Sequence, residues 1–370
     1  MNTDKKKIIL ITVRSDIGGG PYHINLLLKN LSNFFDFYVA APLDIPFGIQ
    51  WQKQIGMSSF FVMPFRSFNV FRFFKLLFFI KRNSIGIIHS HGKGAGLYSR
   101  LMKIFISDLI VIHTFHGFHI QEYSFIGKNL YILLERFLNL LTNLFINVSF
   151  GEQKICSQYK IFDKKKSHVI YNAISLVEPP IKSKIKIRSK LDLPFEKFLI
   201  ISVLRFSYQK NLPLLINIAE RLNYIDRFLF IIIGDGELRK EVEQLIFEKK
   251  IENIKLLGFR YNIVEYLLAS DIYLSTSLWE GLPYSLIEAA SCGLPIIASD
   301  VTGNNEVVID CENGYLFNLT KPEIAVEKIL GLANSENRMK IFRENSLKMI
   351  EDKFLLDNMM NKIKDIYSNI

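Results

Sequence analysis

The feature that most constrains this chain is an alternation, begun twice, of short apolar runs rich in β-branched residues with longer stretches of helical spacing. In the first half KKIILITV, FYVAA, GIIHSH and LIVIHTF read as strands, separated by helical stretches such as PYHINLLLKNL and NLYILLERFLNLL. After KKSHVIYNAISLVEPP the pattern restarts with FLIISVLRF, RFLFIIIGDG, NIKLLGF, DIYLSTS and PIIAS. Strands separated by helices pair in parallel, because each connection must cross back over the sheet. The expected class is α/β, with two doubly wound, Rossmann-like domains. A chain of 370 residues, 49% of them hydrophobic, suffices for two cores of ordinary domain size. The boundaries are expected at 1–178 and 179–352, with a closing helix over 353–370 and IYNAISLVEPPIKSKIKIRSK as the linker.

Composition narrows the setting. The three cysteines, Cys156, Cys292 and Cys311, form no CxxC and no even-numbered framework, which favours a reducing compartment. MNTDKKKIILITV runs straight into a strand pattern without a small-residue cleavage site, so no signal peptide is expected. The most apolar window, FRFFKLLFFIKR, is interrupted by Arg72 and Lys75 and falls short of the ~20 residues of a spanning helix. The net charge of +10 is uneven: residues 1–178 carry 21 Lys and Arg against 10 Asp and Glu, together with 21 of the 31 phenylalanines. No nucleic-acid-binding pattern organises these residues, so nucleic acid is not an expected partner. A face meeting anionic lipid headgroups fits at least as well, and a generally basic surface of solvated lysines remains the plain alternative.

The stretch WEGLPYSLIEAASCGLPIIAS, residues 279–299, sets two carboxylates around a proline. DIYLSTS before it reads as a buried strand, and Pro283 stands where a helix begins, since its missing N–H costs nothing in the first turn. SLIEAASC carries the helix, Gly293 supplies a left-handed stop, and Pro295 precedes the short strand IIAS. Such a unit places its loop and helix N-terminus at the carboxyl edge of a parallel sheet, where ligands bind. Glu280 lies in that loop and Glu288 over one turn into the helix. Both acids would face a ligand there, unless Glu280 only complements the helix dipole and Glu288 is a solvated helix residue.

Three other loops follow strands. RSDIGGGPYH brings Gly18, Gly19 and Gly20 before a helix, where backbone N–H groups can approach an anion; the dinucleotide spacing GxGxxG is absent. VLRFSYQKNLPLL carries Arg205 and Lys210, a bidentate guanidinium and a compact ammonium that suit a diphosphate, or are ordinary surface charges. HTFHGFHI spaces His113, His116 and His119 at intervals of three, but no carboxylate or cysteine completes a zinc site, so no metal is expected.

Taken together and in this order, these loops resemble glycosyltransferase family 4, the retaining GT-B sugar transferases, over nearly the whole chain. The family's Glu, seven residues and second Glu match Glu280 and Glu288. The resemblance implies two domains facing across a cleft, the last helix returning to the first domain. It implies that Glu280 lies by the donor sugar and Glu288 accepts hydrogen bonds from the ribose. Arg205 and Lys210 would hold the diphosphate, and Gly18 and Gly19 match the family's glycine loop. His116 matches its donor-side histidine. The nucleotide base would sit near Gly234 to Gly236 and Gly258, Phe259 and Arg260. Gly281, Leu282, Pro283, Tyr284 and Ser285 would bind the donor, and the helix N-terminus at Leu282 to Ser285 would meet the leaving diphosphate without a metal or other cofactor. No two aspartates have the D-x-D spacing of metal-dependent transferases. The resemblance implies a nucleotide-sugar donor, expected to be a UDP-sugar, and transfer of a hexosyl or N-acetylhexosaminyl group. HTFHGFH and LLERFLNLLTN look like the subset that builds capsule, exopolysaccharide and lipopolysaccharide repeats. The acceptor would be lipid-linked or a saccharide, and the setting cytoplasmic, peripheral on an anionic inner membrane face. The linker reads YNAI where the family has an NG pair, and Leu204 stands where it has glycine before Arg205. A GT-B nucleotide-sugar epimerase and a non-catalytic basic binding subunit remain alternatives. The paired glutamates speak against the first and the intact set of four charged residues against the second.

Overall fold

The computed structural model describes residues 5–120, 122–176 and 183–370. Its backbone forms two compact units, Met1–Asn172 with Asp357–Ile370, and Ala173–Leu356. The boundary expected at 178/179 lies outside the described residues.

The first unit runs β1 (Lys7–Thr12), α1 (Gly19–Leu31), β2 (Asp36–Ala41), α2 (Phe47–Ile55), β3 (Phe60–Val62), α3 (Val70–Arg82) and β4 (Ile87–His91). It continues through α4 (Lys93–Met102), β5 (Ile110–Thr114), α5 (Phe125–Asn139), β6 (Leu144–Asn147), α6 (Phe150–Gln158) and β7 (Ser167–Val169). The sheet order is β3-β2-β1-β4-β5-β6-β7, all parallel. The chain moves outward from β1 to β3 and then restarts on the other side of β1. The topological switch therefore falls between β1 and β4, and the glycine loop after β1 sits at it. Ile9, Ile11 and Ile88 of the sheet pack under Phe73, Leu76, Leu77 and Ile80 of α3 and Tyr98 and Met102 of α4.

The second unit runs α7 (Lys184–Lys190), β8 (Phe198–Val203), α8 (Leu212–Arg221), β9 (Phe228–Ile233), α9 (Arg239–Glu248), β10 (Ile254–Gly258) and α10 (Ile263–Ala269). Next come β11 (Ile272–Ser275), α11 (Tyr284–Ser291), β12 (Ile296–Ser299), α12 (Asn304–Val307), β13 (Gly314–Phe317), α13 (Pro322–Ala333) and α14 (Glu336–Lys353). The order β10-β9-β8-β11-β12-β13 is again parallel, with its switch between β8 and β11. The two loops that carry Arg205 with Lys210, and Glu280, leave from those two strands. The last helix, α15 (Leu356–Asn369), joins the first unit: Tyr367 Oη lies 2.6 Å from His89 Nδ1 on β4, and Lys6 Nζ donates to Ser368 O at 2.8 Å.

The greasy stretch from Phe68 to Arg82 divides its phenylalanines. Phe73 packs inward with Leu76, Leu77 and Ile80, whereas Phe71, Phe74 and Phe78 stay exposed beside Arg72, Lys75 and Arg82. Among the described residues, no helix is long and apolar enough to cross a membrane.

Arg100 on α4 and Glu135 on α5 form a bidentate pair at 2.6 and 3.3 Å with both side chains buried. Breaking one partner leaves a buried charge uncompensated, which costs far more than the pair itself contributes. Glu135→Leu should destabilise the first unit by about 3–5 kcal/mol in urea denaturation. The double variant Arg100→Met, Glu135→Leu should recover most of that loss.

Candidate active site

The site of the second unit is built where the loops after β8 and β11 meet. Thr276 Oγ1 donates to Lys210 O at 2.9 Å, and Leu278 N donates to Gln209 O at 2.8 Å. Gln209 Nε2 donates to Trp279 O at 2.8 Å and to Glu280 Oε2 at 3.2 Å, while the Lys210 ammonium pairs with Glu280 Oε1. Glu280 is buried, so its charge is tolerable only because a cation and an amide both meet it. Lys210 and Glu280, expected to serve the diphosphate and the sugar separately, thus form one pair, with Glu280 buried and Lys210 partly buried.

Arg205 turns to Glu237, Nη2 to Oε2 at 3.0 Å and Nε at 3.2 Å. Both side chains reach solvent. Such a pair contributes about 0–1 kcal/mol and exchanges readily for a more highly charged anion.

Behind these residues the loops after β8, β9 and β10 lie against one another. Leu204 N donates to Ile233 O, Phe206 N to Asp235 O and Gly234 N to Gly258 O, at 2.9–3.0 Å. Gly234 has φ +137, and a Cβ there would lie 1.8 Å from Leu204 O, so only glycine allows this approach. Gly258, with φ +68, is followed by Phe259 and Arg260, whose Nη1 donates to Phe259 O at 3.0 Å.

Pro283 takes extended backbone (φ −74, ψ 122) just before α11, and Tyr284 opens the helix. Tyr273 on β11 bonds the Ser285 side chain, donates to Val203 O at 2.9 Å and accepts from Val203 N at 3.2 Å. One phenol thus ties β8, β11 and α11 together. Glu288, a turn further on, is partly buried, and desolvation pushes its carboxyl up to about 7.

Gly18, Gly19 and His116 belong to the first unit. Gly18 precedes α1 and Gly19 opens it, and a Cβ on Gly20 would lie 3.5 Å from the His116 ring. The glycine turn and the histidine are therefore neighbours. His116 adopts a left-handed φ of +59. Its turn is held by Glu152 on α6, a buried carboxylate that accepts from the amides of Gly117 and Phe118. His116 Nε2 and His91 Nδ1 share a hydrogen bond at 2.9 Å, and the His23 ring lies 4.9 Å from His116. Burial first, and then neighbouring His23 and His89, hold the His116 imidazole well below its usual range, so the ring is neutral. His113 is buried in β5, bonded through Nδ1 to Ser90 Oγ at 2.9 Å, and His119 Nδ1 lies 3.1 Å from Gly117 O.

Several residues that the sequence pattern does not mark complete these sites. Gln209 and Glu237 hold the charged side chains, and His91 and Glu152 hold His116. Gly303, with φ +86, lets its turn reach the active loop: a Cβ there would lie 2.5 Å from Gly281 O and 3.1 Å from Glu280 Cβ. The only sequence cue to that turn is the Gly-Asn pair after IIASDVT.

Solved structures define the class of fold. The Anabaena protein Alr3699/HepE, crystallised with UDP and glucose, matches with a TM-score of 0.85 at 20% identity over 99% of this chain and all of its own. WaaG, a glycosyltransferase involved in lipopolysaccharide biosynthesis, matches with a TM-score of 0.78 at 15% identity over 98% of this chain and all of its own. The fold is GT-B. The pattern described as glycosyltransferase family 4 matches residues 17–178, and that described as glycosyl transferases group 1 matches residues 183–349. An Escherichia coli UDP-Gal:α-D-GlcNAc-diphosphoundecaprenol α-1,3-galactosyltransferase is 30% identical over 298 residues, 78% of this chain and 76% of its own. The Escherichia coli O-antigen biosynthesis glycosyltransferase WbnH is 25% identical over 98% of this chain and 99% of its own. The chain belongs to glycosyltransferase family 4 and is a glycosyltransferase.

Glu288 makes a pH prediction whose sign is fixed. Its carboxyl titrates near 7 in the fold and near 4.5 in a free side chain. The stability this raised pKa confers is complete below about 4.5 and is lost as pH rises to about 7. Thermal unfolding of wild type should therefore fall behind that of Glu288→Gln across this window, by roughly 1–3 kcal/mol at its upper end. Parallel melting curves would assign the carboxylate to ordinary solvent.

Proposed function

We propose that this glycosyltransferase moves a hexosyl or N-acetylhexosaminyl group from a UDP-sugar, with retention, to a lipid-linked or saccharide acceptor in bacterial surface polysaccharide synthesis. The observation that carries this reading is the pair of Lys210 with the buried Glu280 at the switch point, with Glu288 one helical turn into α11. The relatives' names support the pathway and the kind of acceptor, and UDP bound to a protein of the same fold supports the donor.

The chemistry follows from charge. The bond between the anomeric carbon and the β-phosphate oxygen breaks, and the acceptor hydroxyl oxygen bonds that carbon on the same face. The hydroxyl proton passes to the departing phosphate, and UDP leaves. Negative charge grows on the diphosphate and positive charge on the sugar. Arg205, released from Glu237, grips phosphate oxygens bidentately. Lys210 bridges Glu280 and the diphosphate, and the N-terminal amides of α11 add fixed dipoles in the same direction. Glu280 orients sugar hydroxyls, and Glu288 accepts from the ribose. The backbone at Gly234 to Gly236 and Gly258 to Arg260 takes the base. In the first unit the N-terminus of α1 at Gly18 and Gly19 offers amides, and neutral His116 offers a hydrogen bond without a charge. The reaction runs at the cytoplasmic face of a membrane, where the first unit's basic, phenylalanine-rich surface meets anionic lipid.

Screening UDP-sugars for UDP release with lipid-linked acceptors tests the reaction, and product from donor alone would mark an epimerase instead. Arg205→Ala should lower kcat on the order of 10²-fold without a matching rise in KM, because the lost contact strengthens in the transition state. An unchanged kcat would remove Arg205 from the mechanism.

Calorimetry separates the ribose contact. Glu288→Gln should weaken UDP binding by roughly 1–3 kcal/mol, a charge-assisted bond being replaced by a neutral amide. Since in the fold without ligand the Glu288 carboxyl titrates at about 7, wild type should release a proton on binding near that pH, and the variant should not. Equal affinity and equal proton release in the two proteins would reject the role.

A further inference from the structure

Helix α5 is turned the wrong way round for a helix bathed in water. Its inward face holds Ile132, Leu138 and the carboxylate of Glu135, which is committed to Arg100 beneath it. Its outward face carries Phe125, Ile126, Leu130, Leu133, Phe137 and Leu140, with Phe125 82% and Leu133 63% exposed. The acid is inside and the leucines are outside, the reverse of the amphipathic rule for a surface helix. An apolar stripe of this length is far more than the isolated leucines of an ordinary surface.

The rim shows what covers it. Lys128 lies over the Tyr159 ring at 4.9 Å, and Arg136 donates to Tyr159 O at 2.9 Å. At the far end of the helix Lys166 donates to Thr142 O at 3.2 Å and Lys103 to Asn143 Oδ1 at 2.6 Å. Of these cations Arg136 stands exposed beside the apolar stripe, and Lys166 and Lys103 lie at the end of the helix. The half of the chain that carries it also holds the whole excess of positive charge. Apolar side chains flanked by ammonium and guanidinium groups match the boundary between acyl chains and anionic headgroups. With 15 residues the helix is about 22 Å long, so it lies in that boundary and does not span.

We propose that the outward face of α5 beds into the apolar boundary of an anionic membrane and is the principal lipid anchor of this chain. The charges of α3, Arg72, Lys75, Lys81 and Arg82, guide approach and supply the salt-sensitive part of binding. The proposal deepens the peripheral-membrane reading above, but its test does not depend on sugar transfer.

Flotation of the full chain with vesicles of phosphatidylcholine and phosphatidylglycerol reads it. The variant Leu130→Gln, Leu133→Gln, Phe137→Gln should float at least about fivefold less than the parent at low and at high salt, with UDP affinity and melting temperature unchanged. Replacing the four α3 cations by Gln should weaken flotation at low salt and leave the high-salt remainder intact. In a Leu133→Trp variant, fluorescence should be quenched by brominated acyl chains well beyond the parent, whose Trp51 and Trp279 are buried. Three results would overturn the proposal: flotation of the α5 variant like the parent, no added quenching, or a parent dimer that the variant turns monomeric while vesicle binding stays unchanged. The last would make the face a contact between copies. A parent that never floats would remove the membrane reading as a whole while leaving UDP binding to stand on its own.

Discussion

The Lys210–Glu280 pair is the interaction on which the second unit's site depends. A glutamate as buried as Glu280 would cost several kcal/mol if it stood alone, or would keep a proton instead. Lys210 and Gln209 remove that cost, and in doing so they fix the loop after β8 against the loop after β11. The pair is thus a structural clasp across the switch point before any ligand arrives. A diphosphate would present Lys210 with a second anion, and its ammonium has donors enough for both. The cation need not leave Glu280, so the geometry of that carboxylate is set in advance.

Much of this was legible in the sequence because the determinants are local. The spacing of Glu280 and Glu288, the proline between them and the Gly293 stop all lie within one strand–loop–helix unit, and the IIAS strand forms over the residues read for it. What the sequence does not mark is what depends on register between distant segments. β3, β7 and β13 have three or four residues and lie at sheet edges, where pairing on one side suffices and no long apolar run is needed. Gln209, Glu237 and Glu152 act on partners up to 71 residues away with nothing in their own neighbourhood to mark them, and at Gly303 the Gly-Asn pair signals a turn but not the loop it meets.

Helix α5 shows the same limit in another form. Its period marks which residues share a face, and NLYILLERFLNLL reads as a helix on that ground. The period does not say which face is turned inward. That is decided by Arg100, 35 residues earlier, which has no other buried carboxylate on this helix to meet and so draws Glu135 toward the sheet. Once Glu135 is inside, the 3.6-residue repeat carries Leu130, Leu133 and Phe137 outward. The exposed apolar face is therefore a consequence of a buried ion pair.

Both units pair opposite charges, buried Arg100 with Glu135 in the first and Lys210 with buried Glu280 in the second, but they differ at the carboxyl edges of their sheets. The first keeps its polar rings neutral: burial holds His89, His91, His113 and His116 well below their usual range, and His23 near 4. Neutral imidazoles tolerate contact, which is why the His89 and His91 rings can lie 4.1 Å apart, with His89 in turn bonded to Tyr367 on α15. A protonated histidine there would face four others across a low-dielectric site, so a cation is excluded by the cluster itself. The carboxyl edge of the first sheet thus carries neutral rings and the N-terminus of α1, while that of the second carries the full charges of Arg205 and Lys210. That division follows from which side chains the carboxyl ends of β4 and β8 carry, histidines in one sheet and a basic loop in the other.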